Sequence, residues 1–533
     1  MNKYFSFLLI VLFLFNNCSG KQAKVADVER DTTITPATSF SKLFLDSLKL
    51  EVFIKEQRAG DSAAAQLRNF YKSRNYQFAW FTEHGIAEHT RSFWNLHNNY
   101  INTFKDTSLK YKNLHQHIDV LMNEDTAINI TMERMLQTEL ELTKHFFEYS
   151  NNAYSGKLNP QELQWHIPRK KINAVVLLDS LIARDGKNLQ EWEPLNIYYQ
   201  RLKKELVHYY DIDKKGGWKE ITLDKLKKYK LDDSALLIKQ VKHRLQISGH
   251  DNTVDTTEYY TSELVSVIKR TQKSFGFKED GVISAALIKE LNVSVKDRIR
   301  QLLINLERMR WVPEQPEGDL IIVNIPEFRL HVFEGAKKLF SIDIVVGKAA
   351  RSTVIFTSSL KHVVFSPYWN IPPSIVRHEI FPAIRRNPNY LAEMNMEQTG
   401  YANGLPVIRQ KPGGANALGR VKFIFPNSYN IYFHDTPSKS LFNEEARAFS
   451  HGCIRLAEPL KLTTYLLRDQ PEWTMQKVNI AMSASIEKWV TLKKPLPVFI
   501  TYFTAWVDSE GLLNFREDIY GHDKKLATHL FEQ

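Results

Sequence analysis

Apolar residues recur at helical spacing over the first part of the chain, from about residue 41 to residue 233. Leu142, Phe146 and Tyr149, for example, fall four and then three positions apart. Side chains at this spacing lie on one face of an α-helix. Gly and Pro, which interrupt helices, are sparse in the same stretch. The pattern therefore predicts an α-helical domain over 41–233, for which we expect a scaffolding role.

A second helical pattern follows at 234–292, and it is compact enough for a small separate domain. Three short apolar series have helical spacing there: Leu237, Val241 and Leu245, then Leu264, Ile268 and Phe275, then Ile283, Leu287 and Leu291. Gly276 and the pair Asp280-Gly281 mark the turns between them. We predict a three-helix unit, followed over 293–317 by a connecting helix that returns to the scaffold.

From residue 318 onward the apolar positions alternate or form short runs, a pattern that is typical of β-strands. The runs are Leu320–Ile325, Phe328–Phe333, Phe340–Val346, His362–Phe365, Val421–Phe425, Asn430–His434 and Val498–Val507. We predict a mostly-β domain over 318–490 and a C-terminal β extension over 491–533. The stretch 371–414 is rich in Pro, Arg and Asn, and we expect a helical or irregular insertion that forms a lid. The fold class is α+β multidomain.

The size and charge of the chain narrow the class of protein. A length of 533 residues is too great for one hydrophobic core, so several domains are expected. The net charge of +11 favours anionic partners such as nucleic acid, anionic lipid or a polyanionic cell wall, or it serves only solubility. The sequence contains no Lys/Arg-rich block or recognised nucleic-acid-binding motif. We therefore expect no nucleic-acid partner.

The first residues have the pattern of an export signal. Lys3 supplies a positive charge, and residues 4–15 are apolar apart from Ser6. This apolar segment is too short for a membrane-spanning helix. Cys18 follows this segment, as in bacterial lipoprotein signals in which the cysteine is acylated. We predict a signal peptide over 1–18 with lipidation at Cys18, with simple secretion as the alternative, and a polar tether over 19–40.

Only two cysteines are present, Cys18 and Cys453. In the oxidising surroundings of an exported protein, cysteines are usually paired or absent. If Cys18 is lipidated or removed, Cys453 is a solitary thiol. A solitary thiol in such a protein indicates either an inert buried residue or a chemical role.

The residues around Cys453 favour the chemical role. A thiol attacks carbonyl groups only after it has lost its proton, so it requires a base and positive surroundings. His434, His451 and Arg455 all lie close to Cys453 in the sequence, and spacing alone leaves either histidine as the base. Gly452 gives the backbone freedom for a tight turn beside a substrate.

A zinc site is the alternative use of the two histidines and the cysteine. Zinc prefers four ligands in tetrahedral geometry, and the sequence offers no clear fourth ligand at a usual spacing. We therefore expect no metal and no cofactor.

His434, fifteen intervening residues and then Ser450-His451-Gly452-Cys453 resemble the signature of the L,D-transpeptidases with a YkuD-like catalytic domain. The similarity extends to Val346-Gly347 with Thr353, to Tyr368–Pro372 and to Ala417–Phe423. Further segments resemble the large YcbB-type subfamily, which joins a helical scaffold, a peptidoglycan-binding module and the catalytic domain: Arg74–Gln77, Trp165–Arg169 and Trp506–Asp508. The chain departs from the family at 347–352, where the family more often has Asp and Pro.

The unit at 234–292 resembles the three-helix peptidoglycan-binding module. Its pattern is a helix that ends in Gln-x-x-Phe-Gly, an Asp-Gly turn and a final helix. The matching residues are Gln272, Phe275, Gly276, Phe277, Asp280 and Gly281. Ser284 stands where the family usually has a further Gly. A purely structural helical hairpin is the alternative.

The resemblance to the L,D-transpeptidases implies a role for each residue of the motif. Cys453 would be the acylated nucleophile and His434 the general base. Ser450, His451 and Gly452 would shape the site, with backbone amides near Gly452 and Cys453 forming the oxyanion hole. Three further side chains would contact the substrate: Arg455 through a substrate carboxylate, and Tyr432 and Trp369 as walls of the cleft.

The same resemblance implies the reaction and the partners. Cys453 would attack the bond between the diamino acid and D-Ala of a tetrapeptide stem and pass the acyl group to an amine, which gives a 3→3 cross-link in peptidoglycan. Carbapenems would acylate the same thiol. The alternatives are hydrolysis as a carboxypeptidase, attachment of a wall protein, or non-catalytic binding to the wall. We expect the protein at the cell envelope, facing the periplasm and held there by a lipid anchor.

Overall fold

The computed structural model describes residues 28–123, 131–222, 228–250, 255–312 and 318–531. The predicted signal, Cys18 and the first part of the tether lie outside these residues. The chain divides into two compact units. The first, called the helical unit here, comprises the described residues of Met1–Asn102, Asp106–Tyr149 and Asn173–Leu189; the second, called the C-terminal unit, comprises those of Thr103–Lys105, Ser150–Ile172 and Gln190–Gln533. Within the described residues, no helix has both the length and the apolar character that crossing a membrane requires.

The helical unit is built on helices, as the apolar spacing predicted. Its elements are α1 (Ser47–Glu56), α2 (Asp61–Ser73), β1 (Phe81–Thr82), β2 (Gly85–Ile86), α3 (Glu88–Phe104), α4 (Lys112–Asn123), α5 (Met132–Ser155) and α6 (Ala174–Ala183), where α3 and α5 continue past its bounds. The side chains of Asp46 and Asn173 accept backbone N–H bonds at the starts of α1 and α6, as N-cap residues do. Trp80, Phe93 and Phe146 form its buried aromatic centre.

The first part of the C-terminal unit is mostly helical, and it includes the ends of α3 and α5. The elements that follow are β3 (Trp165–His166), α7 (Leu189–Trp192), α8 (Ile197–Lys214), α9 (Leu236–Ile247), α10 (Ser262–Phe275), α11 (Ala285–Leu291) and α12 (Val295–Trp311). Helices α9 to α11 are the three helices predicted for 234–292. They share one apolar core with α8 and α12. The predicted boundary at 233 therefore does not separate two cores, because α8 packs with the helices that follow it.

The Gln-x-x-Phe-Gly and Asp-Gly motifs act together at the end of α10. Gly276 adopts a left-handed conformation and ends the helix. The amide of Gln272 donates to the Asp280 carboxylate at 2.7 Å, and its oxygen accepts the N–H of Gly281 at 2.9 Å. Ser284, which replaces the usual Gly, caps α11 by accepting the N–H of Leu287 at 3.2 Å. These residues fix the turn between two helices.

The rest of the C-terminal unit is mostly β-structure. The strands are β4 (Asp319–Asn324), β5 (Arg329–Glu334), β6 (Lys337–Gly347), β7 (Ile355–Phe365), β8 (Trp369–Asn370), β9 (Met396–Ala402), β10 (Leu405–Gln410), β11 (Val421–Ile424), β12 (Phe433–His434), β13 (Ala448–Ser450), β14 (Ile454–Leu456), β15 (Lys488–Thr501), β16 (Ala505–Val507) and β17 (Leu513–Phe515). The helices are α13 (Pro373–Ile375), α14 (Phe381–Arg386), α15 (Tyr390–Glu393), α16 (Pro459–Leu466), α17 (Met475–Met482) and α18 (His522–Phe531).

The main sheet closes on itself. Its strands follow the order β11-β12-β14-β6-β5-β4-β15-β7-β3, and β11 also pairs with β7. The eight strands from β11 to β7 therefore form a ring, which we call the barrel. The inward side chains fill a single core, with Ile321, Val323, Leu330, Val332 and Ile344 fully buried. Closure of the ring leaves no unpaired strand edge among these eight.

The predicted helical or irregular insertion at 371–414 contains helices α13 to α15, but the structure also places an antiparallel hairpin in it. Strands β9 and β10 pair, and β8 adds a third strand. Asn403 and Gly404 form the turn with positive φ angles of 51° and 74°. An Asn-Gly pair between two strands favours such a turn, and the prediction did not use this signal. The insertion has its own small core, which includes Ile375, Ile380 and Ile408.

The predicted boundary at 490/491 falls inside β15. This strand pairs with β4 on one side and with β7 on the other, so it is an integral strand of the barrel. The predicted C-terminal β extension is thus only the hairpin β16–β17, and the chain then ends in helix α18. The hairpin packs in the core shared by helices α8 to α12.

Candidate active site

Three neighbouring strands of the barrel carry the polar residues of the site. Lys422 on β11 pairs with His434 on β12, and His434 pairs with Arg455 on β14. Directly opposed residues on adjacent strands point to the same face of a sheet. Cys453 precedes β14 by one residue, and Tyr432 precedes β12 by one residue. The barrel thus brings the five side chains to one face.

His434 is oriented for service as a base. Its side chain is buried, and Nδ1 lies 2.5 Å from the carbonyl oxygen of Asp435. A carbonyl oxygen can only accept, so Nδ1 carries the proton and Nε2 keeps its lone pair. Burial, and after it the nearby charge of Arg455, lowers the pKa of His434 to about 3. The imidazole is therefore neutral at physiological pH and able to take a proton.

Cys453 lies beside Tyr432 and two cations. Its thiol donates to the carbonyl oxygen of Asn430 at 3.6 Å. Burial raises the pKa of the Cys453 thiol, while hydrogen bonds from Tyr432 and the charges of Lys422 and Arg455 act in the opposite direction. The resting site therefore holds a neutral thiol whose thiolate has one hydroxyl donor and two cations to stabilise it.

Tyr432 connects the thiol to the imidazole. Its ring lies 5.8 Å from the ring of His434. Burial, and after it the charge and hydrogen bonding of Cys453, raises the pKa of Tyr432, so the hydroxyl stays protonated. The ammonium of Lys422 lies 4.5 Å from the centre of the Tyr432 ring. Tyr432 therefore contacts Lys422 and His434 through its ring and donates from its hydroxyl toward sulfur.

The turn that precedes Cys453 is held by hydrogen bonds from buried groups. Ser450 Oγ donates to the carbonyl oxygen of Cys453 at 2.6 Å and accepts the N–H of Gly452 at 3.1 Å. Gly452 has a φ of +115°, a conformation that other residues rarely adopt. Thr353 Oγ1 donates to the carbonyl oxygen of Gly452 at 2.8 Å. Ser450 is thus a positioning residue, and Gly452 is required by the backbone.

These bonds change the expected oxyanion hole. The sequence resemblance implied amides near both Gly452 and Cys453. The N–H of Gly452 is already used by Ser450 Oγ. The Cys453 amide has no hydrogen-bond acceptor within the described residues. Of these two amides, it is therefore the one that is free to donate to an oxyanion.

A residue near the C-terminus also supports the turn. Tyr520 Oη donates to the carbonyl oxygen of Gly347 at 2.5 Å and accepts the N–H of Thr353 at 3.3 Å. Gly347 ends β6 and pairs with Ser450 on β13. Tyr520 therefore fixes the backbone against which the Ser-His-Gly-Cys turn is built.

His451 takes part in a different contact from His434. Its Nε2 lies 3.3 Å from a carboxylate oxygen of Glu379, which belongs to a π-helical turn of the insertion, Val376–Ile380. Burial and the charges of Arg351 and Lys348 lower the pKa of His451, and Glu379 opposes this shift. His451 thus joins the motif to the insertion.

Arg455 and Trp369, the two predicted substrate-binding residues besides Tyr432, have different positions. The guanidinium of Arg455 is beside Cys453, and its buried Nε has no hydrogen-bond partner within the described residues. Trp369 lies on β8 and packs against the apolar core of the insertion. The structure therefore brings Arg455 to the thiol and places Trp369 against the core of the insertion.

Sequence reasoning gave no role to Lys422, Glu379 or Tyr520. Lys422 interrupts the apolar run Val421–Ile424, and a lone lysine in a buried strand was a usable signal. Glu379 and Tyr520 are 74 and 67 positions from Cys453, and no local pattern links them to it. Their roles follow from the fold.

The barrel matches a known class of catalytic domain. Residues 318–480 match the family described as "L,D-transpeptidase catalytic domain". Residues 65–206 match a family described as "Scaffold domain", and residues 234–291 match one described as "Putative peptidoglycan binding domain". The chain thus contains an L,D-transpeptidase domain together with a scaffold domain and a peptidoglycan-binding domain. The resemblance predicted from its motifs is confirmed at this level.

Individual relatives agree with these matches. A Haemophilus influenzae protein named "Putative L,D-transpeptidase" is 31% identical over 253 residues, which are 45% of this chain and 50% of the relative. The chain therefore spans about half the length of this curated relative.

Two solved structures show more distant similarity. An L,D-transpeptidase from Stackebrandtia nassauensis is 15% identical, with a TM-score of 0.23, over 51% of this chain and 94% of that one. LdtMt1 in complex with imipenem is 13% identical, with a TM-score of 0.19, over 36% of this chain and 65% of that one.

Proposed function

We propose that the protein is an L,D-transpeptidase that cross-links peptidoglycan. Cys453 attacks the carbonyl between the diamino acid and the D-Ala of a tetrapeptide stem, and the thioester is passed to the side-chain amine of another stem. The observation that carries the proposal is the thiol of Cys453 on the same face as the basic nitrogen of His434, within an L,D-transpeptidase domain. The product is a 3→3 cross-link.

The first step moves one proton and forms one bond. The Cys453 thiol turns from the Asn430 carbonyl and gives its proton to Nε2 of His434 while sulfur attacks the carbonyl carbon. Tyr432 and the cations Lys422 and Arg455 stabilise the negative charge on sulfur before the bond forms. Because both groups are neutral at rest, His434 acts as a general base during the attack.

The second half of the reaction uses the same groups in reverse. The protonated His434 gives its proton to the departing amine of D-Ala, which leaves a thioester on Cys453. The acceptor amine then attacks the thioester, and His434 takes the proton that the amine loses. As the carbon–sulfur bond breaks, His434 passes this proton to the sulfur, which restores the thiol and the neutral imidazole. The Cys453 amide donates to the oxyanion in both steps.

A muropeptide assay tests this proposal. The pure protein is incubated with disaccharide-tetrapeptide, and the products are followed by mass spectrometry. We expect a dimer that has lost one D-Ala, and no product with Cys453→Ala. Ser352→Ala, an exchange in the neighbouring loop, serves as the control. Loss of D-Ala without a dimer would instead indicate a carboxypeptidase, and turnover by folded Cys453→Ala would exclude the cysteine mechanism.

We also propose that carbapenems acylate Cys453. The β-lactam carbonyl is a strained acyl donor, and the site holds the groups that an acyl transfer requires. The solved structure of LdtMt1 with imipenem is of a different protein, and it supports the choice of reagent. Intact-protein mass spectrometry with imipenem should show a single adduct that is lost in Cys453→Ala. An unmodified protein that still turns over tetrapeptide would contradict this.

For location, we propose a lipid anchor at Cys18, facing the periplasm. The support is the short apolar segment that ends at Cys18 and the polar residues after it. An acyl chain and a basic surface together suffice for stable membrane binding. Cells that express the wild type or Cys18→Ser are labelled with a clickable palmitate and fractionated. Unlabelled wild type in the soluble periplasmic fraction would contradict the anchor.

A further inference from the structure

The C-terminal unit has a second cleft, of about 460 Å³, separate from the residues around Cys453. One wall is the turn after α10, at Phe277–Glu279, and another is the hairpin β16–β17. The floor is the outer face of strands β4 to β6, on which side chains alternate with those of the barrel core. The cleft therefore lies between the peptidoglycan-binding domain and the barrel.

Aromatic side chains line this cleft without being fully buried. Trp506 stands between the buried Ala505 and Val507 on β16 and is only partly buried, with part of its surface packed against the core of the helices. Phe277, Phe333 and Phe442 are also partly exposed in the lining. Each Å² of apolar surface that stays exposed to water costs about 25 cal/mol compared with the same surface buried. A concave group of exposed aromatic side chains therefore marks a binding site.

The lining holds six Lys or Arg side chains and seven Asp or Glu side chains, so its charges are nearly balanced, and several of them are paired. Arg329 lies 3.2 Å from Asp343, and Lys273 lies 2.7 Å from Glu510. Glu327 accepts a 2.9 Å bond from His331. With its charges nearly balanced, the cleft has little attraction for a strongly charged ligand. The surroundings of Cys453 differ, because the charges of Lys422 and Arg455 both act on the thiol there.

We propose that this cleft binds the glycan of peptidoglycan through an N-acetylated hexosamine disaccharide. A pyranose ring presents an apolar face for Trp506 or Phe277, and hydroxyl and acetamido groups for the polar lining. The sugar is uncharged, in keeping with the nearly balanced charges of the cleft, and a volume of about 460 Å³ is within the range of sites for small ligands. The inference rests on the proposed function, since it assigns a second part of the same substrate.

The cleft is joined to the catalytic turn by a short segment. Glu445 accepts the N–H of Lys278 at 3.3 Å, and Arg447 donates to Asp343 at 3.2 Å. The chain then enters β13 and reaches Cys453. A glycan held in the cleft would therefore bear on the segment that leads to the nucleophile, and it would raise the local concentration of stem peptides.

The binding test uses chitotriose, a trimer of N-acetylglucosamine, with maltotriose as the sugar that lacks acetamido groups. Saturation-transfer NMR and calorimetry on the full chain should detect chitotriose but not maltotriose. Trp506→Ala should raise Kd by about tenfold, as is usual for an aromatic anchor. Tyr401→Ala, at an exposed aromatic residue of the insertion, should leave Kd unchanged.

A second variant avoids any loss of core packing. Ala336 is exposed at the turn between β5 and β6 and lines the cleft, so Ala336→Trp should occlude it. We expect this variant to keep wild-type turnover of a sugar-free tetrapeptide and to raise KM for disaccharide-tetrapeptide about tenfold. The proposal would be overturned if the wild type failed to bind chitotriose. It would also be overturned if the wild type and Ala336→Trp had equal KM values for disaccharide-tetrapeptide. If the wild type binds chitotriose but turns over neither substrate, the assignment of the cleft stands and only the proposed function is refuted.

Discussion

Gly347 offers a sharp test of the proposed catalytic turn, because its Cα lies against backbone on three sides. A β-carbon added there would overlap the carbonyl oxygen of Arg351. It would also stand 2.9 Å from the nitrogen of Thr353 and 3.1 Å from Cα of Gly452. None of these atoms can rotate aside as a side chain can. The change Gly347→Ala must therefore move the backbone of the turn.

The size of the effect follows from these distances. Carbon atoms in contact prefer a separation of about 3.5–4.0 Å, so Gly452 must move by roughly 0.5 Å or more. Overpacking of this kind lowers the free energy of unfolding by about 1–3 kcal/mol. A displacement of about 1 Å at a reacting group can lower the rate about 100-fold. We therefore expect Gly347→Ala to lose kcat by about 10- to 100-fold while the protein still folds.

The assay is tetrapeptide turnover, with thermal denaturation measured in parallel. Gly400→Ala is the matched control, because a β-carbon at Gly400 has no atom within 4 Å. The control should keep both the activity and the melting temperature of the wild type. If Gly347→Ala retained a kcat within twofold of the wild type, the turn would not require this close approach and the reasoning would be refuted.

Three further predictions concern the site and its surroundings. His434→Ala should lower kcat by about 10²- to 10⁴-fold, because Nε2 is the basic nitrogen, while His451→Ala should cost much less; equal losses in tetrapeptide turnover would contradict this division. Lys422→Met keeps a long side chain but removes the charge beside Cys453, so alkylation of the thiol by iodoacetamide should slow at pH 7; an unchanged rate would exclude electrostatic help from Lys422. Acid should destabilise the protein, because burial lowers the pKa of His434 to about 3 and that of His522 to about 4, both below the ordinary value of 6.5. Below pH 6.5 the unfolded chain binds more protons at these histidines than the folded chain does. The free energy of unfolding is therefore retained above pH 6.5. As the pH decreases from 6.5 toward 4, it falls by about 1.4 kcal/mol per pH unit for each such histidine. Urea denaturation at pH 7.5 and 5.0 checks this, and His522→Gln should show a smaller decrease than the wild type.

The local parts of the fold were predictable from the sequence. The helices of 234–292 and the strands that begin the barrel were found from spacing alone, since alternation and helical periodicity report on one face of one element. The closure of the ring was not predicted. It depends on β15, which begins more than 120 residues after the end of each of its partners, β4 and β7, and strand pairing over such distances leaves no local pattern.

The candidate site divides in the same way. Cys453, His434 and Arg455 were singled out because reactive residue types lie close together in sequence. Ser450 was expected to shape the site, and the structure gives it two hydrogen bonds within the turn that precedes Cys453. Glu379 could not be found, since only the folded insertion brings it to the motif.

The position of β15 has a practical consequence for anyone who wishes to study the catalytic domain alone. The family match ends at residue 480, and β15 begins at Lys488. A fragment trimmed to the match would lack this strand, and β4 and β7 would each expose a row of unpaired N–H and C=O groups. Such edges recruit other chains, so the trimmed fragment should aggregate. The smallest fragment with an intact ring ends after Thr501, and one that keeps the Tyr520 hydroxyl must run nearly to the C-terminus.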